Sequence, residues 1–435
     1  MSDSIAVLDG IESGAFVESR VGRRISRRLV LSRLRGLQRG ALQLIEKDRQ
    51  TPLGQRWDDA ETRARLEILD PRCWPKLVAR GSIGAAESYV AGFWDADDLP
   101  TALRLFLLNR DALFALDGGN VAWRQPLRRL AQRLRANTRR GSRRNIGAHY
   151  DLSNDFFGLF LDRQMMYSAA VFERPELATI DDLDAASERK LALVADKLAL
   201  KPTDHLLEIG TGWGGMALWA ASRHGCRVTT TTISREQYDA ARARVRAAGL
   251  EDRVEVLLKD YRDLRGTFDK LVSIEMIEAV GHDFLPTYFS RCAELLRPDG
   301  RMVLQAITLA DRNYESARRK VDFIQRYIFP GSQIPSVGAM VAAIAKTDLT
   351  VRHLEDIGPH YAATLRLWRQ RFEANDAAVQ ALGFDRRFRR LWRYYLAYCE
   401  AGFLEREIGD VQMVLAKPGD RLPARVGPIG SSEPR

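Results

Sequence analysis

Residues 204–215, DHLLEIGTGWGG, decide the fold. His205-Leu206-Leu207 reads as a buried strand, Glu208 closes it, and glycine then occupies positions 210, 212, 214 and 215. Met216–Ala221 continues with helical character. A strand feeding a glycine-rich turn into a helix N-terminus is how doubly wound α/β folds hold a nucleotide-like ligand at the carboxyl edge of the sheet. Glycine lets the backbone approach the ligand, and the helix start offers unpaired N–H groups. The spacing is E-x-G-x-G-x-G-G rather than G-x-G-x-x-G, and no Lys-Ser/Thr pair follows to grip a phosphate.

Outward from this turn, helix and strand signals alternate. Helical periods span 185–198, 216–224 and 236–248, and strands are expected at 204–209, 227–232, 254–258, 270–274 and 301–308. Such alternation predicts a doubly wound, mostly parallel sheet with helices on both faces. Pro298-Asp299-Gly300 reads as a tight turn before the last of these strands. The chain of 435 residues exceeds one ordinary core, so two domains are expected. A flexible tail is expected over 1–19, a smaller α+β domain over 20–115 with a strand at 60–68, and a basic linker over 116–144. A catalytic domain then covers 145–417, and a Pro/Gly/Ser-rich tail expected to be disordered covers 418–435.

Composition narrows the class. With 46% hydrophobic and 29% charged residues the chain is globular, and no run of 18 uncharged apolar residues is available to span a bilayer. Cys73, Cys226, Cys292 and Cys399 are far apart and form no metal spacing, which favours a reduced, cytoplasmic chain without zinc. The net charge of +10 is concentrated. Residues 20–39 carry Arg20, Arg23, Arg24, Arg27, Arg28, Arg33, Arg35 and Arg39 with no acid, and 124–144 carries nine arginines, again with none. In the second tract Leu127, Leu130 and Leu134 recur at helical spacing, so it reads as a basic amphipathic helix suited to an anionic membrane surface. Nucleic acid is the competing partner and is disfavoured, because aromatics are not interleaved with the arginines and no nucleic-acid motif is present.

Longer blocks narrow the family. These are GSIGAAESYVAGFWDADDL (81–99), RRNIGAHYDLSNDFFGLFLDRQMMYSAAVFE (143–173), KDYRDL (259–264), SIEMIEAVGHDF (273–284) and YIFPGSQIPS (327–336). Together with the glycine loop they resemble the cyclopropane-fatty-acyl-phospholipid synthases, which include the mycolic-acid-modifying enzymes and have a class I, Rossmann-like methyltransferase fold. The resemblance runs from about residue 60 to 417. It implies S-adenosyl-L-methionine as methyl donor, the cis double bond of an unsaturated phospholipid acyl chain as acceptor, and a peripheral position on the inner face of the membrane. It leaves a homodimer open.

Gly210, Gly212 and Gly214 are expected along the methionine and ribose side of the cofactor, with Glu208 orienting the loop. By resemblance, Tyr150, Tyr167 and Ser168 close over the cofactor, and Asp260-Tyr261 meets the adenine. Thr232 with Gln237 stands where most class I enzymes carry an acid for the ribose, a departure that this family shares.

Methylating an unactivated alkene leaves a carbocation, and a base must then remove a proton. In the family that base is held to be a bound bicarbonate, gripped by a cysteine backbone amide, a glutamate, a histidine, an isoleucine amide and a tyrosine. The matching residues are Ala169, Glu278, Gln305, Ile307 and Tyr361, so the cysteine and the histidine are replaced. Alanine still supplies a backbone N–H and glutamine an amide donor. Glu275 competes with Glu278 for the acidic role. Loss of a proton from a neighbouring carbon would give a methyl-branched or methylene product in place of a ring, and a small amine acceptor is a further alternative. Phe156, Phe157, Phe160, Tyr327, Phe329 and Trp368 line an acyl channel or are plain core, and His149 reads as structural.

Overall fold

The computed structural model describes residues 19–111, 113 and 152–423. They form two compact units. The first takes the described residues before position 114 with Val321–Ile328 and Trp368–Arg406, and the second takes the remainder. Tyr150, His149, the basic linker, residues 1–18 and residues 424–435 lie outside the described residues.

The first unit contains a four-stranded sheet in the order β2-β1-β3-β4, from β1 (Ala41–Glu46), β2 (Arg49–Gly54), β3 (Arg63–Ile68) and β4 (Trp94–Ala96). The strand expected at 60–68 is β3. Its residues alternate between exposed and buried, as a strand with one solvated face requires. The contiguous catalytic domain expected over 145–417 is corrected here, because two of its internal segments pack with the N-terminal residues. The cause is the helix Arg386–Leu404, which buries Leu391, Trp392, Tyr394 and Tyr395 and packs on the helices Cys73–Val90 and Leu99–Leu108. Its Arg390 donates to the carbonyls of Tyr89 (2.6 Å) and Trp94 (2.9 Å) and pairs with Asp95 (2.8 Å). A local helical period carries no record of such distant partners.

The second unit is built on a seven-stranded sheet. Its strands are β5 (His205–Ile209), β6 (Arg227–Thr232), β7 (Val254–Leu258), β8 (Phe268–Ile274), β9 (Leu296–Leu309), β10 (Thr350–Asp356) and β11 (Ile408–Ala416). The order is β10-β11-β9-β8-β5-β6-β7, parallel from β7 to β9 and antiparallel at β11 and β10. Alternate residues serve opposite faces. Leu207, Leu271, Met302 and Leu304 join the core on the side of the helix Leu285–Leu295. Leu206, Val228, Val272 and Val303 join the other, with the helices Leu183–Leu198 and Gly215–His224.

Strand β5 pairs with β6 on one side and β8 on the other, so the chain reverses its winding there. Such a switch point opens a crevice at the carboxyl edge. The turn expected at 298–300 is absorbed into β9 as a register shift against β8. The tail expected to be disordered from 418 is ordered through residue 423. Asp420 pairs with Arg301 (2.8 Å), both side chains are buried, and the same guanidinium donates to the carbonyls of Lys197 and Leu422. A buried guanidinium needs such partners, and this one holds the end of the described chain in place. All four cysteines are free, and among the described residues no helix is long and apolar enough to cross a membrane.

Candidate active site at the carboxyl edge of the second sheet

The loop after β5 has the backbone that the glycines foretold. Gly210, Gly212 and Gly214 have φ of 106°, 52° and 84°, a region costly to any residue with a Cβ. A Cβ on Gly210 would reach Met276 at 3.1 Å and one on Gly214 would reach Ala241 at 3.3 Å, whereas at Gly212 it would meet nothing within 4 Å. Gly212 thus faces open space on the side where a cofactor would lie. Glu208 is buried and accepts a hydrogen bond from Thr230 Oγ1 (2.6 Å), which also lies 2.8 Å from Thr211 Oγ1 in the loop. Burial pushes the Glu208 carboxyl up to about 8, against the pull of the Thr230 hydroxyl. Glu208 therefore orients the loop through threonines rather than by touching a ligand.

At the end of β6, Thr232 Oγ1 and Gln237 Oε1 pair at 2.8 Å, as an unpaired acid would not. After β7, the Asp260 carboxylate is taken up by Arg262 (2.6 and 2.8 Å), and Tyr261 packs edge-on against Tyr288. The Asp260 carboxylate is therefore already paired within the protein. Tyr167 stands half-buried between Phe157 and Phe329. Ser168 is buried, its hydroxyl accepting a hydrogen bond from Lys190 Nζ (2.8 Å). Backbone open at Gly212, polar groups at the ends of β6 and β7, and aromatic cover at Tyr167 fit the expected sulfonium cofactor. Phe156, Phe157 and Phe160 pack on one another as fully buried core. Within the first unit, Tyr327 donates to Glu87 and Trp368 is fully buried.

On the other side of the switch point the arrangement departs from expectation. Three of the four donors assigned to bicarbonate converge on a side chain of the protein itself, Glu275. Its Oε1 accepts from the Ala169 N–H (2.8 Å) and from Gln305 Nε2 (2.7 Å), and its Oε2 from the Tyr361 hydroxyl (2.7 Å). Glu275 directly follows β8 in a left-handed conformation, φ 49°. That conformation costs a residue with a side chain about 1–2 kcal/mol. Glu278, the expected site acid, takes the fourth donor instead. Its Oε1 accepts from the Ile307 N–H (2.6 Å), and its Oε2 is buried without a partner. Burial, followed by the neighbouring Glu275, pushes Glu278 up to about 8.

Gln305 owes its orientation to a chain of side chains. Its Oε1 accepts from Gln412 Nε2 (3.0 Å), and Gln412 Oε1 in turn accepts from Lys197 Nζ. The amide NH₂ of Gln305 is therefore turned toward Glu275, and a cation at the far end polarises the series. Next to Ala169, the Ala170 N–H donates to Thr364 Oγ1 (3.1 Å) and the Phe172 N–H to His360 Nδ1 (3.1 Å). The segment is thereby pinned to the helix that carries Tyr361. Lys190 is fully buried; burial lowers it to about 8 while Glu275, Asp162, Asp410 and Glu208 draw it upward. Lys190 and Asp410 carried no motif, and Glu275 stood out only as a rival of Glu278.

Comparison with known proteins gives the following relatives. The family model described as mycolic acid cyclopropane synthetase matches residues 137–413. The chain is 41% identical over 368 residues to the tuberculostearic acid methyltransferase of Mycobacterium tuberculosis, covering 83% of this chain and 85% of that one. It is 34% identical over 361 residues to the cyclopropane-fatty-acyl-phospholipid synthase of Escherichia coli K12, covering 81% and 88%. Among solved structures, a mycolic acid cyclopropane synthase in complex with SAH and CTAB superposes with a TM-score of 0.59 at 32% identity. That match covers 63% of this chain and 98% of the other.

Proposed function

This chain belongs to the mycolic acid cyclopropane synthetase family of S-adenosylmethionine-dependent methyltransferases, and from that premise we propose that it methylates the cis double bond of a phospholipid acyl chain with Glu275 as the base. The observation that carries this reading is the convergence of the Ala169 N–H, the Gln305 amide and the Tyr361 hydroxyl on the Glu275 carboxylate. Bound S-adenosylmethionine supplies the electrophilic methyl group. Gly210, Gly212 and Gly214 hold its methionine and ribose side, Thr232 and Gln237 meet the ribose hydroxyls, and Tyr261 covers the adenine. Glu275 faces the positive charge left on the lipid and removes its proton. The C–H bond breaks, its electron pair becomes the C=C double bond of a branched product or the third ring bond of a cyclopropane, and the proton goes to the carboxylate, so no diffusible bicarbonate is required.

The product we favour is a methyl- or methylene-branched chain that keeps one double bond. Two observations support it: the altered base, and a relative at 41% identity named for methyl transfer rather than ring closure. Cyclopropane formation is the second reading, favoured by the family description. The lipid is reached at an anionic membrane surface through the helix Arg20–Leu34. There Arg20, Arg24 and Arg28 and the exposed Val21, Ile25 and Leu29 form neighbouring rows at i, i+4 and i+8, with no acid in the first turn. The deciding experiment incubates purified protein with S-adenosylmethionine and anionic vesicles of unsaturated phospholipid, then analyses the acyl chains by mass spectrometry. A gain of one CH₂ with the unsaturation retained is expected. The same gain with the unsaturation lost moves the reading to cyclopropanation, and no gain on any lipid removes the lipid substrate.

A further inference from the structure

Asp410 lies on β11 opposite Ile307 of β9, fully buried. Its carboxyl and that of Glu275 face the same donor, since Gln305 Nε2 lies 2.7 Å from Glu275 Oε1 and 3.5 Å from Asp410 Oδ2. The longer contact is weak, and Asp410 Oδ1 meets no N–H or O–H donor. Glu275 by contrast receives three short hydrogen bonds. Two carboxyls at this range cannot both ionise, and the one better supplied with donors carries the charge. The other charged or titratable groups bearing on Asp410 are Glu278, itself pushed toward the neutral form, and Lys190, whose single positive charge balances one carboxylate.

We propose that Asp410 is a positioning residue for the base. It keeps the proton of the pair and donates it to Glu275 as a fourth hydrogen bond, so that Glu275 is the one anion of the buried cluster. The inference rests on the reading of Glu275 as base. Burial pushes both carboxyls up, and Asp410 well above its ordinary value. The donors on Glu275 oppose that push for Glu275, and Asp410 adds to them without bringing a second negative charge. When Glu275 accepts the proton of the lipid cation, the pair ends neutral, with one proton on each carboxyl.

The test compares Asp410→Asn, which keeps an N–H donor without a charge, with Asp410→Leu, which keeps the bulk alone. The acid limb of the pH–kcat profile should move upward by about one pH unit or more in the leucine variant and stay in place in the asparagine variant, with KM for lipid unchanged in both. A leucine variant that loses rate with its acid limb unmoved would make Asp410 merely structural. Equal shifts in the two variants would also overturn the proposal. Infrared spectroscopy reads the same proton without turnover or the leucine protein. The protonated-carboxyl C=O stretch present in the wild type near neutral pH should lose intensity in Asp410→Asn, and full wild-type intensity would refute the assignment. Absence of methylated lipid would sink the proposed substrate while leaving the infrared result to decide Asp410.

Discussion

The two halves of the carboxyl edge, β5–β7 and β8–β9–β11, solve opposite problems. The first is a backbone site. Its glycines clear space, its threonines and Gln237 pair among themselves, and its two buried acids are taken up nearby, Glu208 by Thr230 and Asp260 by Arg262. The second is a side-chain site, where Glu275, Glu278 and Asp410 crowd together out of water beside Lys190. On the proposed reading the first half binds and the second half handles a proton, so the same kind of damage should appear in different kinetic constants. Crowding acids in a dry place is costly, and here the cost is met by short hydrogen bonds to the one acid placed for the reaction.

The largest effect should come from Glu275. Glu275→Gln is expected to lower kcat by about 10²–10⁴-fold, with S-adenosylmethionine affinity by calorimetry unchanged. Glu275→Gly fits the left-handed backbone and leaves the Ala169, Gln305 and Tyr361 donors facing a gap, so added bicarbonate should restore part of the rate. A variant at this position with full kcat would abolish the distinction between the halves.

Gly212→Val tests the binding half. The added side chain enters the open space at φ +52° and should weaken cofactor binding by about tenfold or more, from backbone strain of roughly 1–2 kcal/mol plus obstruction. At saturating cofactor kcat should hold within about twofold. A kcat defect instead would mean that the loop contributes to the chemistry.

The smallest effect concerns stability alone. Between its ordinary value of 4.5 and about 8, folded Glu208 keeps a proton that the unfolded chain releases. Wild-type stability therefore falls as pH rises through that window. Glu208→Gln keeps a partner for Thr230 and never ionises. It should melt like the wild type at low pH and higher above about pH 8, by on the order of a few kcal/mol. Identical melting curves across the range would show that Glu208 is ionised in the fold.

The same division explains what could be read in advance. The glycine loop, β6 and β7 and the Thr232–Gln237 pair are local: each is announced by residues within a few positions of one another. The proton-handling half is assembled from Ala169, Glu275, Gln305, Tyr361 and Asp410, which come from five separate segments. Resemblance supplied four of these neighbourhoods with a bound anion as the expected occupant, and a glutamate carboxylate satisfies the same donors. Asp410 sits on the antiparallel β11, which the alternation of parallel strands gave no reason to place beside β9. The ordered clasp of Arg301 and Asp420 escaped notice for the same reason, since a Pro/Gly-rich composition says nothing about a buried guanidinium 119 positions upstream.

The left-handed backbone at Glu275 has a consequence for how such enzymes diversify. The residue that this conformation tolerates best is glycine, and every glutamate codon is one base substitution away from a glycine codon. With Glu275 as the base we propose, a lineage can thus pass between an enzyme that carries its own base and one that must recruit an anion from solution without rebuilding the strand, the loop or the surrounding donors. The requirement for a dissolved co-reactant is then a trait that a single inherited change can gain or lose.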